Sequence, residues 1–236
     1  MASPTSGRRG GGLLHSIKTG EYAFGHVHGM SPWEYRVRHP EAGVVFDRAM
    51  TARSRTEADG VLAAYDFGRF RRVVDVGGGR GAFLAALLAK HPHARGVLLD
   101  QPQVVAEADA VLHGAGVADR CQLVAGSFFE EIPAGGDAYI LKRVLVDWDD
   151  AEALTILRAC RHALGPDSRL IVIDFVVAPP NQGAEGKLID LAMLVSLGGQ
   201  GRTREEWAGL FQGAGFHLAS ISPVGADLCI IEGVPA

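Results

Sequence analysis

Cysteine is scarce: the 236-residue chain has three, Cys121, Cys160 and Cys229. The count is odd, the spacing is wide, and there is no CxxC pair or Cys/His cluster. That argues against a disulfide framework and a zinc or other metal site, and it fits a reducing cytoplasm. Long apolar runs are also missing. None approaches the ~20 residues of a membrane span, and the opening MASPTSGRRGGGLLHSIK has no apolar core of a secretory signal. Clustered positive charge is absent too. Lys and Arg total 23 against 27 Asp and Glu, a net charge of −4. The short pairs Arg8–Arg9 and Arg71–Arg72 are no footprint for a nucleic acid. With no G-x-S-x-G elbow and no G-K-[ST] loop, nucleophilic hydrolysis and phosphoryl transfer are disfavoured.

Glycine is abundant, at 31 residues, in a chain that is 47% hydrophobic and 21% charged. Residues 1–12 read as a disordered leader and 13–68 as a helical segment bordering a substrate pocket. Residues 69–236 read as a ligand-binding α/β domain. In 41–67, Val45, Ala49, Ala52, Thr56, Val61, Leu62 and Tyr65 fall near one helical face. From Arg71 onward apolar strands alternate with helices. RVVDV, GVLLD, CQLVAG, DAYILKRVL and SRLIVIDFVV read as strands, and FHLASISPV with DLCIIEGV as a closing pair. Continuous apolar strands with helices between them imply a doubly wound, mostly parallel sheet with an antiparallel edge.

Ligands of such sheets sit beyond the carboxyl ends of the strands. There, RRVVDVGGGRG places Gly77 and Gly79, which let a ligand approach the backbone closely. Asp75, two residues before Gly77, suits a cationic group such as an α-ammonium better than a pyrophosphate. Asp100, ending the second strand, suits a ribose diol, which fits NAD and S-adenosylmethionine (SAM) alike. Ser127 and Phe128 follow the third strand, where an adenine edge and face can be held. Lys142 and Arg143 interrupt the fourth, apolar strand, and their stems can reach the same pocket. Trp33, Phe24, Phe46 and Met50 suit either an aromatic acceptor site or core packing.

In this order DVGGGRG, LLDQP, GSFFEEIP, LKRVLVDWDDAEALTILRAC and GGQGRTREEWAGLFQGAGF resemble the SAM-dependent O-methyltransferase family. The likeness is greatest to its actinobacterial natural-product branch and covers about residues 13–236. The resemblance implies a Rossmann-like seven-stranded domain, SAM as cofactor and an aromatic small-molecule acceptor. It also implies a homodimer, although no part of this sequence matches the family's N-terminal dimerisation domain. It puts Gly77 at the methionine end, Asp100 at the ribose, Ser127 and Phe128 at the adenine, and Lys142 nearby. Trp148, Met193 and Leu197 fall on the acceptor side. The family's usual His base corresponds to Val146, next to Asp147. Its fifth-strand acid corresponds to Asp174, and its second supporting acid to Gly201. Methyl transfer is then expected mainly by proximity and orientation, with Asp174 or Asp147 assisting. The alternatives are a SAM-binding enzyme that does not methylate and a subunit completed by another chain. An NAD-dependent reductase would need a Tyr-x-x-x-Lys pair, which is missing.

Overall fold

A computed structural model of the chain describes residues 12–225 and 228–236. The leader expected at 1–12 lies, but for Gly12, outside them. The strands are β1 (Arg72–Val76), β2 (Arg95–Asp100), β3 (Cys121–Ala125), β4 (Ala138–Lys142), β5 (Arg169–Asp174), β6 (Phe216–Val224) and β7 (Leu228–Pro235). They form one seven-stranded sheet in the order β3-β2-β1-β4-β5-β7-β6. β1 to β5 pair in parallel, and β7 runs antiparallel to both β5 and β6. The antiparallel strand is thus the inner member of the closing hairpin. β7 carries the fully buried Ile230 and Ile231, whereas β6 is only partly buried and takes the edge.

Ten helices are described: α1 (Leu13–Thr19), α2 (Ala23–His28), α3 (Pro32–Arg38), α4 (Pro40–Ala64), α5 (Ala82–Lys90), α6 (Pro102–Val105), α7 (Ala108–Gly114), α8 (Asp150–Ala163), α9 (Glu185–Ser196) and α10 (Arg204–Gly213). Side-chain caps start several of them. The Asp149 carboxylate accepts the Glu152 N–H at 2.9 Å ahead of α8, and Thr203 and Glu206 form a capping box on α10.

Alternating strand residues feed two cores. Val74 and Val76 pack with Ile156, Leu157, Trp207 and Phe211 of α8 and α10. Val73 and Ile140 pack with Val61, Leu62, Leu84, Leu88 and Leu112 of α4, α5 and α7 on the other face. Burying one such leucine contributes about 1.5–3 kcal/mol.

Two expectations are corrected. Val61 and Leu62 of the α4 face are buried, but Val45 is 59% exposed. The first half of this 25-residue helix leaves the core and runs beside the carboxyl ends of the strands. The fourth strand ends at Lys142 because Arg143 turns left-handed, with φ of 55°. No helix of the described residues is long and apolar enough to cross a membrane.

Tyr139 is fully buried. Its hydroxyl lies 2.9 Å from Ala163 O and 3.1 Å from Pro133 O, and accepts the Gly136 N–H at 3.2 Å. Tyr139→Phe leaves these backbone groups short of a partner. We expect a loss of about 1–3 kcal/mol in denaturant unfolding, with secondary structure unchanged.

Candidate functional site

The turn after β1 depends on its glycines. Gly77, Gly79 and Gly81 have φ of 70°, 62° and 74°, which side chains rarely adopt. Gly78 is constrained by space: a Cβ there would lie 2.5 Å from both the Asp75 carboxyl and Leu98. Asp100 shapes the same turn from β2. Its Oδ2 accepts the Gly79 N–H and its Oδ1 the Gln101 N–H, each at 2.7 Å. Burial raises the Asp100 pKa and these two hydrogen bonds oppose the rise.

Asp75 lacks such partners. It is 1% exposed, and neither carboxylate oxygen has a hydrogen-bond partner among the described residues. Burial pushes its pKa to about 7, opposed by Lys142 and reinforced by Asp100. Ionising a buried carboxylate without a partner is costly. The position therefore favours a guest that brings positive charge and N–H donors.

After β4 the chain enters a tightly held turn, Leu145–Asp147. Asp174 braces it from β5: Oδ2 accepts the Val146 N–H at 3.2 Å and Oδ1 the Phe175 N–H at 3.0 Å. Arg202, fully buried, donates to Leu145 O at 2.9 Å, Trp148 O at 3.0 Å and Asp150 Oδ1 at 2.9 Å. Gly199 approaches so closely that a Cβ would lie 2.0 Å from Val146 O. The turn presents Asp147 and Trp148 to a cavity. Burial, with Asp174 adding, pushes the Asp147 pKa to about 7 against Arg36 and Arg143.

Helix α4 forms the facing wall. Its Glu57 accepts from Lys142 Nζ at 2.5 Å, Arg143 Nη2 at 2.8 Å and Arg53 Nε at 2.9 Å. Burial would raise its pKa, but the hydrogen bonds from Arg143 and Lys142 bring it down to about 2. The cavity is about 480 Å³, within the range of small-molecule sites. Asp75, Gly77, Gly78, Gly79 and Asp100 line one part, and Trp33, Phe46, Met50, Asp147 and Trp148 another. Trp33 and Trp148 stack at 5.4 Å, and Phe128 meets Trp148 edge-on at 6.1 Å.

Among the expected cofactor residues, Asp75, Gly77, Gly79, Asp100, Phe128, Lys142 and Arg143 line this cavity. Ser127 is not in the lining, and its Oγ instead accepts the Phe129 N–H at 3.3 Å. Trp148 lines the cavity, but Met193 and Leu197 stand outside it, because α9 packs on α1 and α2. Phe24 is core. Asp147 faces the cavity and Asp174 does not. Asp174 lies outside the cavity lining and accepts two backbone N–H groups, so it is a brace for the turn. The Gly201 N–H donates to Asp190 Oδ1 at 2.7 Å, away from the cavity. The roles of Glu57 and Arg202 are not apparent in the sequence, where Glu57 sits in SRTEAD within the long helical stretch. Among the described residues no cluster of three His, Cys, Asp or Glu side chains could hold a metal ion.

A glycine turn between two acids, an aromatic cavity and a braced Asp-Trp turn meet at the carboxyl ends of the strands, where a doubly wound sheet binds its ligand. The chain belongs to the O-methyltransferase domain family, whose model matches residues 12–217. It is 44% identical to a phenazine O-methyltransferase of Lysobacter antibioticus, over 94% of this chain and 65% of that protein. It is also 44% identical to a mitomycin biosynthesis 6-O-methyltransferase of Streptomyces lavendulae, over 96% of this chain and 64% of that protein. The chain therefore spans just under two thirds of the length of these curated relatives. A solved O-methyltransferase from neocarzinostatin biosynthesis, in complex with S-adenosylmethionine and 2-hydroxy-5-methyl naphthoic acid, is 35% identical. It matches with a TM-score of 0.89 over 97% of this chain and 68% of that one.

Asp75 also sets a pH dependence. Its folded pKa of about 7 lies above the ordinary 3.8. Its contribution to stability is therefore fully present below 3.8 and is lost as pH rises to about 7. In the unliganded chain, Asp75→Asn should raise the thermal midpoint at pH 8, and this gain should shrink as pH falls to 5. Thermal denaturation across that range checks it, and a gain independent of pH contradicts it.

Proposed function

We propose that the chain binds SAM along the Gly77–Gly79 turn and transfers its methyl group to a hydroxyl of an aromatic or polyketide-like small molecule. The observation that carries this reading is Asp75, a buried carboxylate with no hydrogen-bond partner among the described residues, at the turn where the family resemblance implies the methionine end of the cofactor. The residues present fit that cofactor. Asp75 receives an α-ammonium, Asp100 retains acceptor capacity for a ribose diol, and Phe128 offers an aromatic surface for adenine. When bound, the sulfonium supplies an already activated methyl group.

The chain's own contribution is placement. Trp33, Phe46, Met50 and Trp148 form an apolar, aromatic wall that favours a planar acceptor and displaces water. Orientation in such a pocket supplies a large part of a barrier reduction. Asp147 stands on the same wall, with a pKa near neutrality, and can take the acceptor's hydroxyl proton. Val146 has no basic atom, so no imidazole assists at that position. The same residue favours a second reading, a SAM-binding protein that does not methylate. We place the reaction in the cytoplasm. The reading includes the homodimer implied by family resemblance, supported by the exposed apolar side chains Leu14, Ile17, Val37 and Leu188.

Titration calorimetry with SAM and S-adenosylhomocysteine (SAH) tests the cofactor, and mass-spectrometric assay with hydroxynaphthoates and phenols tests the transfer. Binding of both cofactor forms is expected, and a folded sample that binds neither contradicts the reading. Asp147→Asn is expected to lower kcat at least about tenfold while SAH affinity stays within threefold. Binding without transfer to any acceptor favours the second reading.

A further inference from the structure

The Glu57 network raises a question of competition. Asp75 and Ile140 are register partners on β1 and β4. Lys142, two residues beyond Ile140, shares their face of the sheet. Lys142 and Asp75 line the same cavity and attract each other electrostatically. A buried carboxylate beside a lysine ordinarily takes it as its ion-pair partner. Instead both Asp75 oxygens are unpartnered among the described residues. The Lys142 ammonium is turned to Glu57 Oε2 at 2.5 Å and to Ser54 Oγ at 3.3 Å. The other Glu57 oxygen accepts from Arg143 Nη2 at 2.8 Å and from Arg53. The Lys142 and Glu57 side chains are only 5% and 15% exposed, so the pair is little screened by water.

We propose that Glu57 is a positioning residue: it draws the Lys142 ammonium away from Asp75 and so keeps Asp75 open for the cation of the ligand. The inference rests on the cofactor reading above. Were Glu57 neutral, Asp75 would be the remaining acid drawing on Lys142, and the ion pair formed would fill the cation site from within. Glu57 belongs to α4, whose Phe46, Met50 and Ser54 also line the cavity. The same carboxylate thus joins the acceptor wall to the cofactor end.

A double-mutant cycle with SAH as the probe separates this from a merely structural role. Calorimetric titration is made on the unaltered chain, Glu57→Gln, Lys142→Met and the double variant. Glu57→Gln is expected to weaken SAH binding at least tenfold. Adding Lys142→Met to it should recover at least half of that loss on a logarithmic scale, because the intruding cation is gone. Glu57→Gln binding within twofold of the unaltered chain, or a double variant no tighter than Glu57→Gln, overturns the proposal. Circular dichroism checks folding. If the Gln variant does not fold, Glu57→Asp retracts the carboxylate by one methylene and carries the same test: Lys142→Met must again improve binding, and failure to do so overturns the proposal. Failure of the unaltered chain to bind SAH overturns the cofactor reading itself, whereas binding without the rescue overturns only the role of Glu57.

Discussion

At the carboxyl end of β1 the Asp75 carboxylate is held out of water with no hydrogen-bond partner among the described residues, at a cost to stability. Much of the neighbouring structure follows from that placement. Position 78 has to be glycine because the Asp75 carboxyl occupies the space of a side chain. Asp100 uses both oxygens to fix the turn that covers Asp75. Lys142, able to neutralise Asp75, is engaged by Glu57 instead. Unmet charge at a binding site is a common exchange of stability for function, because the ligand restores the missing interaction.

A second arrangement governs the part of the cavity lined by Asp147 and Trp148. The Leu145–Asp147 turn has little freedom: Asp174 holds its Val146 N–H, Arg202 holds the carbonyls at either side, and Gly199 packs against its backbone. Rigid backing of this kind suits a site that works by orientation, since small displacements of a reacting pair cost much of the rate. It also explains why Asp174, fully buried, and Asp147, partly buried beside it, have different parts. Asp174 accepts two backbone N–H groups outside the cavity lining, while Asp147 keeps a face on the cavity.

Strand positions, the glycine turn and its two acids were legible in the sequence because each rests on a local rule: apolar runs, tolerance of positive φ, and an acid at a strand end. The resemblance placed the Asp-Trp turn at the site. What escaped was tertiary. Val45 fits the helical stripe of α4, yet the helix outruns the core and leaves it exposed. Ser127 looks like an adenine contact, but its hydroxyl satisfies a backbone N–H two residues on. Met193 and Leu197 have the right character for an acceptor wall on a helix that packs elsewhere. Glu57 becomes visible only once α4 is laid against β4, some 85 residues further along the chain.

The central claim is that Asp75 awaits a cation, and its most direct measurement is proton exchange on binding. Calorimetry of SAH binding near pH 7, repeated in buffers of different ionisation enthalpy, counts the protons released or taken up. A positive charge seated on Asp75 lowers its pKa from about 7, so net proton release is expected near pH 7, fading toward pH 9 and lost in Asp75→Asn. Binding without proton release, or the same release in Asp75→Asn, would contradict the account.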